Sequence, residues 1–496
     1  MRSLIALLLL AATAQPTPAP APSPAPVYWG SPPVRMALES RPLGFDADGN
    51  ARWLVVVRLF DANGRATRVM ENDNVDWSAP NGWVQWQPKL AYGNPSAILT
   101  TNQDGPLAMT ALANVPALGT MTVRTDTRRW HGARVVAVAL GPYAVQIGWF
   151  PQERHWARLV RVDADGRRRV IASMSGPSSS YRDTAVLPDR SYRYMLYRAG
   201  EAPVALAVRT LPPPPRTSIA DVSGKGIWLY WSNNPLDALY WRHLRPAAVV
   251  SEAVYAGLHY VELRTAYGAY WEITPEAKPT IDAIIDGLAA HHIVAVGWTV
   301  PRDTNVEDLS MSVRTTSYRT AKGARLYALA LDVERGSEFL GDAPQGALAA
   351  IWQYVRDVRQ AMGPAYALSP TVEDAYLEHL DNTKYPFAQI ARYATVLQPM
   401  AYWRMMRRHP TNPAKVRVLL AASYRKLLRE AGRRIPISIG GQTDAEGPNG
   451  YPPAAEITAS LQTSKSIGAI GECFFAYDGT QPYQWDAMAA YPWRIP

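Results

Sequence analysis

From residue 216 to 496, short runs of period two give way to helix-length segments eight times in succession. The strand candidates are Gly226–Trp231, His259–Arg264, Ile293–Thr299, Leu326–Glu334, Ala365–Thr371, Thr395–Trp403, Ile435–Gly440 and Ala469–Tyr477. Helical segments between them include Thr280–Ala290, Gln345–Met362, Ala414–Ala431 and Ala454–Ser466. Few folds accept that order. Eight strand–helix units in about 280 residues fit a (β/α)8 TIM barrel, whose active site lies at the C-terminal strand ends. A doubly wound sheet is the other solution, but no Gly-rich phosphate fingerprint follows the first strand.

Successive strand side chains point to opposite faces, so parity says what enters the barrel. In Leu326–Glu334, Tyr327, Leu329, Leu331 and Val333 form a large apolar face. Ala328, Ala330, Asp332 and Glu334 form the other, small and then acidic. The same reading turns Val261 and Leu263 outward and Glu262 and Arg264 inward. It turns Tyr366 and Leu368 outward and Ala367, Ser369 and Thr371 inward. Gln398, Met400 and Tyr402 share one face, and Ile435, Ile437 and Ile439 point out. The first and last strands are apolar or aromatic on both faces, so parity cannot orient them.

That interior is more polar than a structural barrel needs, and buried charge is costly unless paired. One reading is structural, an ion pair of Arg264 with Glu262 or Asp332. The other is glycosidic cleavage. Residues i and i+2 of a strand lie side by side, so one carboxylate can keep the other protonated as an acid. Glu334, nearest the mouth, is the expected general acid and Asp332 its partner. A second group across the sugar is expected from Glu262, Glu373 or Asp478. Trp228, Trp231, Trp298, Trp403 and Tyr477 lie at or near strand ends, as sugar platforms or as barrel filling. Two or three of the five are expected to be exposed. The Gly-rich loop Gly440–Gly450 reads as a lid or substrate loop.

The Asp332-Val-Glu334 end, Met400-Ala-Tyr402 and Gly471-Glu-Cys-Phe-Phe-Ala-Tyr-Asp478 together resemble glycoside hydrolase family 18, the chitinase-like barrels. The resemblance implies that Glu334 is the acid and that Asp332 positions a substrate N-acetyl group. That group attacks the anomeric carbon while Tyr402 holds it. The chain departs from the family pattern at Tyr327 and Ala330, where strand four carries further acids. It departs again at Trp403, where an acid follows the strand-six Tyr, and at Phe475, where the strand-eight floor has Trp. Asp-Val-Glu also resembles family 25 lysozymes, but the first strand here has no acid. A non-catalytic glycan-binding or envelope-structural barrel therefore stands as the alternative.

Ahead of the barrel, residues 1–14 have a basic start at Arg2, an apolar run and Ala12-Thr13-Ala14, the pattern of a cleaved signal peptide. The run is too short for a membrane span, though uncut it would serve as an anchor. Residues 15–26 alternate Pro with small residues as a stiff linker. Residues 27–126 read as short strands between Asp-Gly turns and loosely resemble bacterial immunoglobulin-like modules. Residues 127–212 resemble a fibronectin type III domain, which implies that Trp149 is the core Trp and Tyr192 the tyrosine-corner residue. The expected architecture is two all-β sandwiches followed by a C-terminal barrel at 216–496. The sandwiches read as spacers or weak glycan binders.

The single cysteine, Cys473, excludes an internal disulfide. No Cys/His spacing suits a metal, His291-His292 reads as a helix end, and no cofactor is expected. Net charge is +9 but the basic residues are scattered, which argues against nucleic acid. It suits a solvated surface or attraction to an anionic glycan. The expected partner is a polysaccharide or peptidoglycan. The chain is expected to act as a monomer, secreted or in the periplasm or envelope of a bacterium, with no membrane segment once processed.

Overall fold

The computed structural model describes residues 28–29, 31–69, 75–85, 95–113, 118–163, 165–230, 244–335, 339, 347–404, 411–445 and 449–495. The signal-peptide and linker readings, residues 1–14 and 15–26, lie outside them, as does Trp231. Among the described residues no helix is long and apolar enough to cross a membrane.

The strands of the C-terminal half are β1 (Gly224–Leu229), β2 (Tyr260–Tyr267), β3 (Val294–Val300), β4 (Ala328–Asp332), β5 (Ala367–Val372), β6 (Gln398–Pro399), β7 (Ser438–Gln442) and β8 (Gly471–Phe475). They pair in parallel in the order β6-β5-β4-β3-β2-β1-β8-β7. Two isolated parallel bridges, Leu397 with Ile437 and Met400 with Gly440, join β6 to β7. The result is a nearly closed eight-stranded parallel barrel. Helices follow the strands in turn: α1 (Pro246–Tyr255), α2 (Lys278–Ala290), α3 (Val306–Thr315), α4 (Ala347–Met362), α5 (Phe387–Ala391), α6 (Pro413–Ala431), α7 (Ala454–Ser466) and α8 (Pro482–Ala489).

Local chemistry sets these ends. The Asn412 side chain accepts the Lys415 N–H, Pro413 opens α6, and Gly432 closes it at φ +66°. Asn at the cap, Pro in the first turn and a left-handed Gly after the last are the preferred terminators. Helix α2 stops at Ala290, with His292 at φ +59°.

Parity holds around the barrel except at the start of strand four, where Leu326 and not the expected Tyr327 joins the outer layer. Val261, Leu263, Leu329, Leu331, Val333, Tyr366, Leu368, Ile435, Ile437 and Ile439 lie in the large buried layer beneath the helices. Ala328, Ala330, Ala367, Trp228, Trp298 and Cys473 lie in a separate cluster in the lumen. The strands that parity left open, β1 and β8, send Trp228 and Cys473 inward and Ile227 and Phe474 outward.

The N-terminal half is antiparallel. A sheet containing Arg35–Phe45, Ala51–Phe60 and Ser96–Thr101 shares a buried cluster with Leu107 and Met109 of a second sheet. Two further sheets, one containing Val145–Glu153 and one containing Trp156–Val162 and Ser191–Arg198, enclose Ile147, Trp149, Leu159, Tyr194 and Leu196. Trp149 is fully buried, and the Tyr192 hydroxyl accepts the Leu187 N–H at 2.8 Å. Tyr192→Phe is expected to lower unfolding free energy by about 0.5–1.5 kcal/mol, one hydrogen bond's worth, in urea titration.

These sheets dock on the α3–α4 side of the barrel. The Val306 N–H donates to Asp48 Oδ2 at 2.7 Å, and Arg52 pairs with Glu307. The Tyr143 N–H donates to Ala361 O at 3.2 Å, and Leu140 and Ala144 join the outer layer. Glycine is required at 141, where a Cβ would stand 2.5 Å from Ala361 O.

Candidate active site

The inner faces of β4 and its neighbours meet at the C-terminal end of the barrel. Small Ala328 and Ala330 leave the lumen to Trp228, Trp298 and Tyr260. Asp332, at the end of β4, is 7% exposed, and Glu334, two residues on, is half-buried.

Tyr402 lies beyond β6, buried, with its ring 5.8 Å from Phe475. Burial drives its hydroxyl well above the usual phenol range, and the charges of Asp332, Glu334 and Asp444 act in the same direction. Asp332 and Glu334 at the end of β4 and Asp444 after β7 thus lie near enough to Tyr402 for their charges to act on its hydroxyl. Asp444 was missed, because it lies in the loop after β7 with no periodicity to orient it.

Glu262 sits deeper and is fully buried. It accepts from Gln398 Nε2 at 3.0 Å, and Gln398 Oε1 accepts from Thr371 at 3.2 Å. Burial pushes Glu262 up to about 8, and the Asp332 charge adds to that. Burial thus favours its neutral form, while the hydrogen bond from Gln398 opposes that rise. Glu373 accepts the Arg335 N–H at 2.8 Å, and Asp478 is exposed at the rim.

Arg264 corrects the expected ion pair. It pairs with Glu272, Nε to Oε2 at 2.8 Å and Nη2 to Oε1 at 2.9 Å, rather than with Glu262 or Asp332. Glu272 comes from the turn back of Tyr270–Trp271 against β2. The guanidinium also lies 5.1–5.6 Å from the Tyr230, Tyr267 and Trp298 rings.

The expected exposure of the aromatic platforms is also corrected. Trp228, Trp298 and Trp403 are all buried. Trp228 and Trp298 pack on each other in the lumen, ring centroids 6.5 Å apart. Trp403 turns outward and donates its indole to Glu456 Oε2 at 2.9 Å. Tyr477 is half-buried, edge-on to Trp485, with its hydroxyl on Glu252 of α1. The half-buried aromatic surface belongs instead to Tyr230 and Phe475, stacked at 5.7 Å and 8°. Tyr230 was missed because β1 could not be oriented from pattern, whereas Phe475 is the residue that the family resemblance put at the strand-eight floor.

Chemically, the mouth offers carboxyl groups and a phenol donor beside a flat aromatic pair. That arrangement can protonate a leaving oxygen, stabilise positive charge and hold a sugar ring by its C–H face.

No family model and no curated protein matches the chain. Among solved structures it is similar to a chitinase from Chromobacterium violaceum ATCC 12472, at 13% identity and TM-score 0.38, over 54% of this chain and 98% of that one. It is similar to the Bacillus cereus spore cortex-lytic enzyme SleL, at 10% identity and TM-score 0.37, over 58% and 78%. It is also similar to a Ruminococcus gnavus β-glucuronidase, at 8% identity and TM-score 0.37, over 88% of each chain. Likeness at this level carries no argument about chemistry, which rests on the residues of the mouth.

Proposed function

We propose that the protein is an exported bacterial glycoside hydrolase acting on a cell-wall or amino-sugar polysaccharide. What supports this reading is the place of Asp332 and Glu334 at the end of β4, with the buried Tyr402 beyond β6 within reach of their charges. Glu334, the more exposed carboxyl, gives its proton to the glycosidic oxygen as the bond to the anomeric carbon breaks. The substrate N-acetyl oxygen supplies the electron pair to that carbon. Asp332 orients the N-acetyl group and stabilises the positive charge that develops on it. The Tyr402 hydroxyl, held protonated, donates to the same group. Water then opens the cyclic intermediate, and Glu334 regains its proton from that water. Tyr230 and Phe475 form the floor. In this reading the N-terminal sheets are the immunoglobulin-like and fibronectin type III spacers expected from sequence.

The departures at Ala330 and Trp403 favour a second reading, a glycan-binding barrel without catalysis. Trp403 is committed to Glu456, so it supplies neither an acid nor a platform to the mouth. Reducing-end release from peptidoglycan and chitin oligomers separates the two. Release by the wild type and its loss in Glu334→Gln are expected. No release by the wild type, or full release by Glu334→Gln, contradicts the hydrolase reading. Retention on insoluble glycan unchanged by Glu334→Gln, without release, would place the protein in the second class.

A further inference from the structure

At the C-terminal end of β2 the chain doubles back. The strand runs past Arg264 to Tyr267, and Gly268, at φ +58°, starts the turn into Tyr270–Trp271. Tyr267 pairs with Tyr270 and Ala266 with Trp271. The Gly268 N–H donates to Val300 O at 2.7 Å, which ties the turn to the end of β3.

Directly opposed residues of an antiparallel pair share a face. Trp271 goes with the layer beneath the helices. Its ring lies 6.1 Å from Tyr318, and the Arg314 guanidinium carbon stands 4.3 Å over it. Tyr267 goes with the lumen cluster of Trp228 and Trp298. Tyr270, opposite Tyr267, therefore stands on the mouth side. It is 42% exposed, and among the described residues its ring packs on no other ring.

Tyr267 is the outer end of an aromatic run. Phe475 and Tyr230 stack at its inner end. The Tyr230 and Tyr267 rings both lie within 5.3 Å of the Arg264 guanidinium carbon. Arg302 also holds Tyr267: Nη1 donates to the hydroxyl at 3.2 Å, and the guanidinium carbon lies 5.3 Å from the ring. Cations over ring faces fix the rings in place. Opposed residues have Cβ atoms about 4.5–5.5 Å apart, so Tyr270 continues the run by one step.

We propose that this run is a track of sugar subsites, and that Tyr270 is its outer platform. It takes a pyranose ring of the same polysaccharide, further along the chain than the ring on Tyr230 and Phe475. Ring faces suit the C–H side of a sugar, and phenol and guanidinium groups suit its hydroxyl rim. One exposed ring is too little for the core of a protein interface. Nor does the hairpin need Tyr270 to hold its place, because Trp271 packs beneath it and Glu272 pairs with Arg264. The proposal rests on a glycan ligand, which both readings of the barrel share, and not on cleavage.

The test titrates the full chain, Tyr270→Ala and Tyr270→Phe with chitin oligomers from dimer to hexamer, and with peptidoglycan glycan strands of matching lengths. In Tyr270→Ala the preference for hexamer over dimer is expected to fall about 3–10-fold, the worth of one aromatic contact. Tyr270→Phe keeps the ring face and should keep the preference. Both variants should melt within about 2 °C of the wild type. If Tyr270→Ala does not fold, Tyr270→Gln makes the same comparison. No length preference in the wild type, a preference unchanged in Tyr270→Ala, or one lost equally in Tyr270→Phe overturns the platform. Length-dependent binding that needs Tyr270, without reducing-end release, leaves the platform standing and sinks the hydrolase reading alone. Release with a length preference indifferent to Tyr270 does the reverse.

Discussion

Glu334→Gln is expected to lower kcat for glycan cleavage by about 10²–10⁴-fold, the usual contribution of a general acid. KM should change little. Gln keeps the shape and hydrogen-bonding reach of Glu but has no acidic proton to give. The loss therefore falls on the step in which the leaving oxygen gains charge, not on ground-state binding. Glu334 is half-buried two residues past Asp332. Glu262 cannot substitute: it is fully buried and committed to Gln398. A fall in kcat below about tenfold would argue that Glu334 gives no proton in the rate-limiting step.

Arg264→Met is expected to reduce unfolding free energy by about 3–5 kcal/mol, the usual cost of breaking a buried ion pair by removing one partner. Arg264 is 2% exposed and Glu272 is 11% exposed, and two hydrogen bonds join them. Burial already raises the Glu272 carboxyl above its usual range, and Arg264 is what opposes that rise. Without Arg264 the folded pKa rises further, so the folded state binds a proton that the unfolded state releases. The loss of stability should then be larger at pH 8 than at pH 5. Arg264→Met with Glu272→Gln should recover much of it. Urea midpoints at the two pH values measure this. A loss under about 1 kcal/mol would mean that the pair is not what holds this end of the barrel.

Much of the barrel was legible in the sequence because its cause is local. Alternation along Leu329–Val333 and Ile435–Ile439 reports which side packs under helices, and the structure puts those residues there. The acidic end of β4 followed from the same parity. The aromatic platforms did not, because exposure at a strand end depends on which neighbours fill the layer above. Trp403 shows a finer point. Tyr402 shares the inward face of Gln398, so the next residue points outward, and strict parity already turned Trp403 toward α7. Other features come from chain return rather than period. Glu272 reaches Arg264 through a two-residue hairpin strand, and Glu378 reaches the Asp374 N–H through a turn; neither leaves a repeat in the sequence. Asp444 is placed by a loop, so only the fold brings it beside Tyr402.

The most direct measurement is a crystal structure of Glu334→Gln soaked with a peptidoglycan or chitin oligosaccharide. The hydrolase account predicts a bound chain across the barrel mouth. Its scissile oxygen should lie within hydrogen-bond reach of residue 334, its N-acetyl group between Asp332 and Tyr402, and a ring over Phe475 and Tyr230. A sugar bound elsewhere, or a mouth with no sugar at saturating concentration, would contradict it.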